Sequence, residues 1–446
     1  MYVSKYNLLF DVNKDEKIIF NPLSGAIDIL SKEEKDSLEK VKSREEIDEN
    51  LLNQFLSRGY IFENKEDEDK EFFRIYQRFE DAMKDRGERF ILIQTYDCNL
   101  QCKYCYQDES MRDPSVMSNE TLLKFFETIE TLKNEDTVPC ISLFGGEPLI
   151  KKNESAVKDA IKYCKERKWN MLASTNGVDL DFYSDILDPD VFKQVQVTLD
   201  GTREYHDKRR IFPDGSGSFD KIVSGIDKTL EKIPVVLRVN VDKENLENLP
   251  KLADFIIEKG WNENNLHAYI SPVKSVFGMK YSFCLPDYKI LEGVFEYLNK
   301  YPKMEEVFSL EGWQGADSIS RLLKKGDVFP PQFKNCEANI DMLAFDLYGD
   351  VYTCLELVGR KEFSIGKFYP KLDFNENLKK WRDRSIITVP ECKECSVNIL
   401  CGGGCAALAL EENGSLYSNH CKPVKKALEL SISHYFPKLK ALGEKK

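Results

Sequence analysis

The chain has 446 residues, 42% of them hydrophobic, which is enough for two or three domains with sizeable cores. Its formal net charge of −12 argues against nucleic acid and anionic membrane as partners. No apolar run approaches the roughly 20 residues that a membrane span needs, and Met1-Tyr2-Val3-Ser4-Lys5-Tyr6 lacks the layout of a signal peptide. A cytoplasmic protein is therefore expected, and in that compartment its 13 cysteines point to metal binding more than to disulfides.

Residues 1–62 read as a small α+β unit. Tyr6-Asn7-Leu8-Leu9-Phe10 and Lys17-Ile18-Ile19-Phe20 are predicted strands joined by the polar turn Asn13-Lys14-Asp15-Glu16. Ser31-Lys32-Glu33-Glu34 and Ser43-Arg44-Glu45-Glu46 have the form of capping boxes, each opening a helix. Arg58-Gly59-Tyr60-Ile61-Phe62 closes the unit. Residues 63–88 are charge-rich and are expected to form a solvated linker helix ending near Arg86-Gly87. From 89 to 274, six strand-like runs (89–95, 138–144, 170–174, 194–199, 235–241 and 266–271) alternate with helix-length segments. Such alternation implies a parallel sheet with crossover helices. Residues 275–330 read as a helical bridge, and 331–446 as a cysteine- and glycine-rich region.

The polar signatures fall just after the strand-like runs. Cys98 follows the first, Gly145-Gly146-Glu147-Pro148 the second, Thr175-Asn176-Gly177 the third and Asp200-Gly201 the fourth. Reactive groups of parallel α/β folds gather at those ends. The first signature, Cys98-x3-Cys102-x2-Cys105, can wrap three corners of a [4Fe–4S] cube and leave the fourth iron open. A zinc knuckle would want a fourth Cys or His nearby, and none stands there.

This set resembles the radical S-adenosylmethionine (SAM) family. The resemblance implies a partial (β/α)6 radical SAM barrel, an α/β fold, with SAM chelated on the open iron and reductively cleaved to a 5′-deoxyadenosyl radical. It also implies a cellular one-electron reductant of the flavodoxin or ferredoxin type. By the family pattern Tyr104 packs near the adenine, and the backbone of Gly145 and Gly146 with the Glu147 carboxylate takes the SAM amino group. Thr198 places its hydroxyl at the ribose or methionine part. Ser174, Asn176, Arg209, Arg238 and Asn240 are further candidates near strand ends; a guanidinium suits the SAM carboxylate, and the sequence does not choose between the arginines. Each has a plainer reading as a core or surface residue.

The C-terminal pattern is Cys336-x12-Gly349-x4-Cys354, then Cys392-x2-Cys395-x5-Cys401-x3-Cys405, then Cys421. Paired zinc ribbons would want eight ligands, and seven cysteines with no well-spaced His fit poorly. The pattern resembles the SPASM domain. That resemblance implies two auxiliary [4Fe–4S] clusters, hence three clusters in all. Cys392, Cys395, Cys401 and Cys421 would close the outer one. Cys336, Cys354 and Cys405 would hold the inner one, whose usual further cysteine is missing near Met342. Water, a substrate group or a distant thiol such as Cys284 could fill the gap. Cys140 and Cys164 read as packing residues.

Residues 1–62 are similar to the winged-helix-like, PqqD-like leader-recognition domain of peptide maturases, which adds a precursor's leader as a strand; the plainer reading is a structural cap. Together these features read as a radical SAM/SPASM peptide maturase acting on a ribosomally made precursor, with thioether formation on a substrate cysteine favoured by the open inner site. The rivals are a sulfatase-maturing (formylglycine-generating) enzyme, carbon–carbon crosslinking, epimerisation, and a non-catalytic iron–sulfur electron carrier. The sulfatase-maturing pattern has an Asp after the cysteine equivalent to Cys354, where this chain has Leu355 and then Glu356. The catalytic base is not legible.

Overall fold

The computed structural model describes residues 1–107, 111–276, 279, 281–310, 312–326 and 330–443. Strands β1 (Tyr2–Val3) and β5 (Ile61–Phe62) pair antiparallel, and β2 (Leu8–Asp11), β3 (Glu16–Asn21) and β4 (Ala26–Ser31) form an antiparallel meander. Two strands were expected in that meander. The third forms because Gly25, at φ +75°, turns the chain back onto β3.

The helix Lys32–Lys42 opens on the expected capping box: Ser31 Oγ accepts from the Glu34 amide at 3.2 Å, and Glu34 Oε2 accepts from the Ser31 amide at 2.7 Å. The second box does not form. Ser43 ends the first helix, Arg44 takes φ +62°, and the next helix (Glu49–Ser57) is capped by Asp48, which accepts from the Leu51 amide. The linker also departs from expectation. Residues Lys65–Arg86 form one helix whose Phe72, Tyr76 and Phe79 rings meet Phe333 at 5.1–5.4 Å. Phe72 also stacks on Tyr6. This helix is half solvated and half a clamp, because Phe72, Ile75, Tyr76 and Phe79 fall on one face at i, i+3, i+4 and i+7.

The central sheet contains β6 (Arg89–Ile93), β7 (Cys140–Phe144), β8 (Asn170–Thr175), β9 (Phe192–Thr198), β10 (Val235–Val241), β11 (Leu266–Pro272), β12 (Phe308–Ser309), β13 (Met342–Asp346), β14 (Asp350–Tyr352), β15 (Gly366–Lys367) and β16 (Asp373–Phe374). Its order is β12-β11-β10-β9-β8-β7-β6-β13-β14-β15-β16. Every pair from β12 to β13 is parallel and the last three are antiparallel. The fold is a mixed α/β architecture, and the sheet is open among the described residues.

Strand residues such as Leu92, Ile141, Leu143, Val195 and Leu237 are fully buried, as expected of a parallel sheet covered on both faces. The helices Asn119–Leu132 and Glu154–Arg167 add Phe125, Phe126, Val157 and Ala160 to that core. The sequence did not reveal β13. A strand from the cysteine-rich region pairs with β6 in register, Ala344 opposite Ile91, so the C-terminal region continues the sheet. A further core joins Tyr6 and Leu23 of the N-terminal unit to Phe333, Ile386, Val389 and Ile399. Among the described residues no helix is long and apolar enough to cross a membrane.

Candidate active site and cysteine centres

The loop after β6 is pinned on several sides. The Gly146 amide donates to Thr95 O at 3.1 Å, Glu147 N to Asp97 O at 2.7 Å, Gln101 N to Ile211 O at 2.7 Å and Lys103 N to Arg209 O at 3.0 Å. A methyl group at Gly145 or Gly146 would collide with the backbone of residues 95–97. The glycine pair is thus required by the approach of two protein loops, where the sequence suggested the approach of a ligand. Within the loop, the Leu100 amide and Asn176 Nδ2 point at Cys98 Sγ, 3.4 and 3.6 Å away. Such N–H···S contacts suit a thiolate bound to iron. Burial pushes the Cys98 thiol up to about 12 and the Cys102 thiol up to about 11, so ionisation there calls for a compensating positive charge.

Beside this loop lies a cavity of about 390 Å³ at the C-terminal ends of the strands, within the size range of small-molecule sites. Cys98, Cys102, Cys105, Tyr104, Gly145, Gly146, Glu147, Ser174, Asn176, Thr198, Arg238 and Asn240 all border it, as do Leu355 and Glu356, and the Leu355 carbonyl accepts from the Tyr106 hydroxyl at 3.2 Å. Glu147 is 1% exposed and accepts from Thr175 Oγ1 (2.6 Å), the Asn176 amide (2.5 Å) and the Leu149 amide (2.9 Å). It ties the turn after β7 to the turn after β8, and one of its roughly four lone-pair sites remains. Burial raises its carboxyl to about 7 against the pull of those donors.

Tyr104 donates its hydroxyl proton to Asp200, and its oxygen accepts from Arg210 (2.8 Å) and Asn240 Nδ2 (3.1 Å). Asn176 is turned toward the cluster loop, donating to Asn99 Oδ1 at 2.7 Å. Ser174 Oγ meets Gln196 Nε2 at 3.4 Å. Arg238 donates only to neutral oxygens, Asn240 Oδ1 at 2.8 Å and Ser271 Oγ at 3.1 Å, so its charge is uncompensated among the described residues.

Arg209 is not a cavity residue. Its guanidinium is buried, donates to Asp242 (2.6 Å), Tyr281 Oη and Asn240 O, and stacks 4.9 Å from the Tyr104 ring centroid. Its neighbour Arg210 reaches the cavity and was missed. The helix Arg203–Arg209 ends between them, and that ending decides which arginine faces inward.

Electrostatic influence links the C-terminal cysteines with one another. Cys354 feels Cys336 and Cys405, while Cys392 feels Cys401, Cys395 and Cys421. Burial raises Cys336 to about 11 and Cys392 to about 12. Cys284 feels the charges of Asp242 and Arg209, and burial raises its thiol. Glu356 Oε2, on the cavity side of Cys354, is buried without a hydrogen-bond partner. No three Cys, His, Asp or Glu side chains among the described residues converge on a single-ion site. Around a cube each thiolate takes a different iron, so wider spacing is expected, and the donor sets fit such groups.

Residues 92–256 match the model of the Radical SAM superfamily. The Cysteine-type anaerobic sulfatase-maturating enzyme of Clostridium novyi is 27% identical over 358 residues, 76% of this chain and 93% of that protein. The Fe-coproporphyrin III synthase of Methanosarcina barkeri is 28% identical over 180 residues, and that match spans 40% of this chain and 42% of the relative. Among solved structures, native anSMEcpe with bound AdoMet and the Kp18Cys peptide superposes with a TM-score of 0.60 at 17% identity, over 80% of this chain and 99% of that one. Streptococcus suis SuiB bound to precursor peptide SuiA does so with 0.54 at 14% identity, over 95% and 99%. At these identities the structural likenesses speak of the fold.

Proposed function

Because the chain carries a radical SAM domain and is an enzyme of that superfamily, we propose that it modifies a ribosomally made precursor peptide and forms a thioether from a substrate cysteine. The observation that carries this reading is the single cavity bordered by the 98–105 loop on one wall and by Leu355 and Glu356, directly after Cys354, on another. SAM and the cluster on Cys98, Cys102 and Cys105 supply, when bound, a 5′-deoxyadenosyl radical that takes a hydrogen atom from a substrate carbon.

The chain's own residues hold and orient. Arg238, a cation without a carboxylate partner, receives the SAM carboxylate. Glu147 keeps one acceptor site for the SAM ammonium. Thr198 and Ser174 offer hydroxyls to the ligand, and Tyr104, fixed by Asp200, Arg210 and Asn240, walls the adenine end. Two auxiliary [4Fe–4S] clusters are assigned to Cys336, Cys354 and Cys405, and to Cys392, Cys395, Cys401 and Cys421. In this reading the inner set keeps three thiols, and a substrate thiolate takes the place of its fourth. Residues 1–62 serve as the leader-recognition unit, the leader adding as a strand at an edge of the β2-β3-β4 sheet. Residues 89–274 form the radical SAM part and 331–446 the SPASM part. Electrons come from a flavodoxin- or ferredoxin-type donor.

Formylglycine formation is the second reading. It is favoured by the Clostridium novyi relative, which the match covers over 93% of its length, and by the unpartnered Glu356 oxygen at the cavity wall. Reduced enzyme, SAM and a Cys-containing precursor separate the two by tandem mass spectrometry. A product lighter by one pair of hydrogens, with a cysteine that resists alkylation, is expected. A hydrazine-reactive aldehyde would replace the thioether with formylglycine. Precursor with and without its leader, titrated onto the full chain, tests the N-terminal unit; equal affinities would reduce it to a cap.

A further inference from the structure

Arg384 follows the helix Glu376–Asp383 and is 1% exposed. Its Nη2 donates to Gly403 O and Ser418 O, each at 2.9 Å. Its Nε and Nη1 are buried with no partner, and it makes no ion pair among the described residues. A guanidinium taken out of water without a counter-charge costs several kcal/mol, so this arrangement is incomplete as protein alone.

What surrounds the charge is thiol. Gly403 lies between Cys401 and Cys405, at φ +84°, and a methyl there would stand 3.0 Å from Arg384 Nη1 and 3.9 Å from Cys392 Sγ. The thiols that act on Arg384 are Cys392, Cys336, Cys405 and Cys401, two from each of the two C-terminal sets. Lys422, the other cation that faces both sets, has an oxygen partner in Asn335 at 3.5 Å. Of the two, Arg384 is the one with nitrogens that are buried and have no partner at all, whereas Lys422 Nζ has one.

We infer that Arg384 is a positioning residue shared by both auxiliary clusters, one buried positive charge that stabilises the reduced state of each. The inference rests on the reading of two auxiliary clusters given above. Cluster potentials respond to nearby charge and to hydrogen bonds on the sulfurs. Reduction adds a negative charge, so a fixed cation raises the potential. One cation between two clusters raises the potential of both.

The test uses the full chain carrying Cys98→Ala, Cys102→Ala and Cys105→Ala, so that remaining iron belongs to the C-terminal region. Iron per chain and an EPR-monitored redox titration are read for Arg384, Arg384→Lys, Arg384→Gln and Arg384→Met. With Arg384 present, about eight irons are expected; about none would overturn the auxiliary-cluster reading itself, before Arg384 is altered. Arg384→Met should move both midpoints to more negative values, and Arg384→Lys should restore them in large part. A midpoint that stays in place for either cluster overturns the shared role. Should Arg384→Met lose iron, the shift is read in Arg384→Gln by the same criterion. Should both uncharged variants lose iron, retention in Arg384→Lys supports the charge requirement. Iron loss in Arg384→Lys as well makes the residue a pin for two carbonyls and overturns the inference.

Discussion

At the strand ends, Glu147 holds three donors and Asp200 binds the Tyr104 hydroxyl and the Asn240 amide. Among the C-terminal cysteines, Glu356 Oε2 and two nitrogens of Arg384 are buried without partners. In the first region it is the carboxylates that protein completes, and their job is to fix loop against loop, while Arg238 keeps a charge with no carboxylate partner. The second has charges that protein does not complete. Buried polar groups are ordinarily satisfied, so the difference marks where the chain relies on groups beyond its own residues.

The contrast can be broken most forcefully at the first cysteines. Replacing Cys98, Cys102 and Cys105 with Ala together should remove about four irons and all SAM cleavage while sparing about eight irons in the C-terminal region. Iron analysis and chromatography of 5′-deoxyadenosine measure this, and retained cleavage would remove the SAM assignment. Next in size is a pair of carboxylate truncations. Glu147→Ala abandons three buried donors and should cost on the order of 3 kcal/mol or more, whereas Glu356→Ala should cost about 1 kcal/mol or less. Denaturant midpoints at constant slope decide, and equal losses would erase the distinction between the two walls.

The seam between the regions gives a pH signature. Burial lifts the Glu88 carboxyl from 4.5 to about 7 despite its 2.7 Å ion pair with Arg382. The folded state therefore holds a proton there that the unfolded chain releases. This contribution is fully present below pH 4.5 and is lost as pH rises through about 7. Glu88→Gln should flatten that part of the stability profile, and an unchanged slope would relocate it. The smallest effect on the cluster is expected of Asn176→Ala, which removes one N–H···S contact to Cys98 together with the hydrogen bonds of Asn176 to Asn99 and Val178. It should keep all iron and move only the midpoint of the SAM-binding cluster to more negative values.

The first region was legible because its chemistry is local. Cys98, Cys102 and Cys105 stand within one loop, and Gly145, Gly146 and Glu147 follow one strand, so chain order and spacing carry the geometry. The choice between Arg209 and Arg210 was not legible, since a helix end fixes it within one residue. The clamp helix had a readable apolar stripe, Phe72, Ile75, Tyr76 and Phe79, hidden among many charges. The pairing of β13 with β6 and the burial of Arg384 and Glu356 join segments far apart in sequence, which local pattern does not encode. The Ser43 box failed because a left-handed Arg44 redirected the chain before a helix could begin.

The central claim is that a peptide meets the radical in the cavity between the 98–105 loop and Glu356. A fully deuterated Cys-containing precursor, incubated with reduced enzyme and unlabelled SAM, tests it directly. The account predicts deuterium in the 5′-deoxyadenosine together with a modified peptide. Unlabelled 5′-deoxyadenosine beside an unchanged peptide would contradict it.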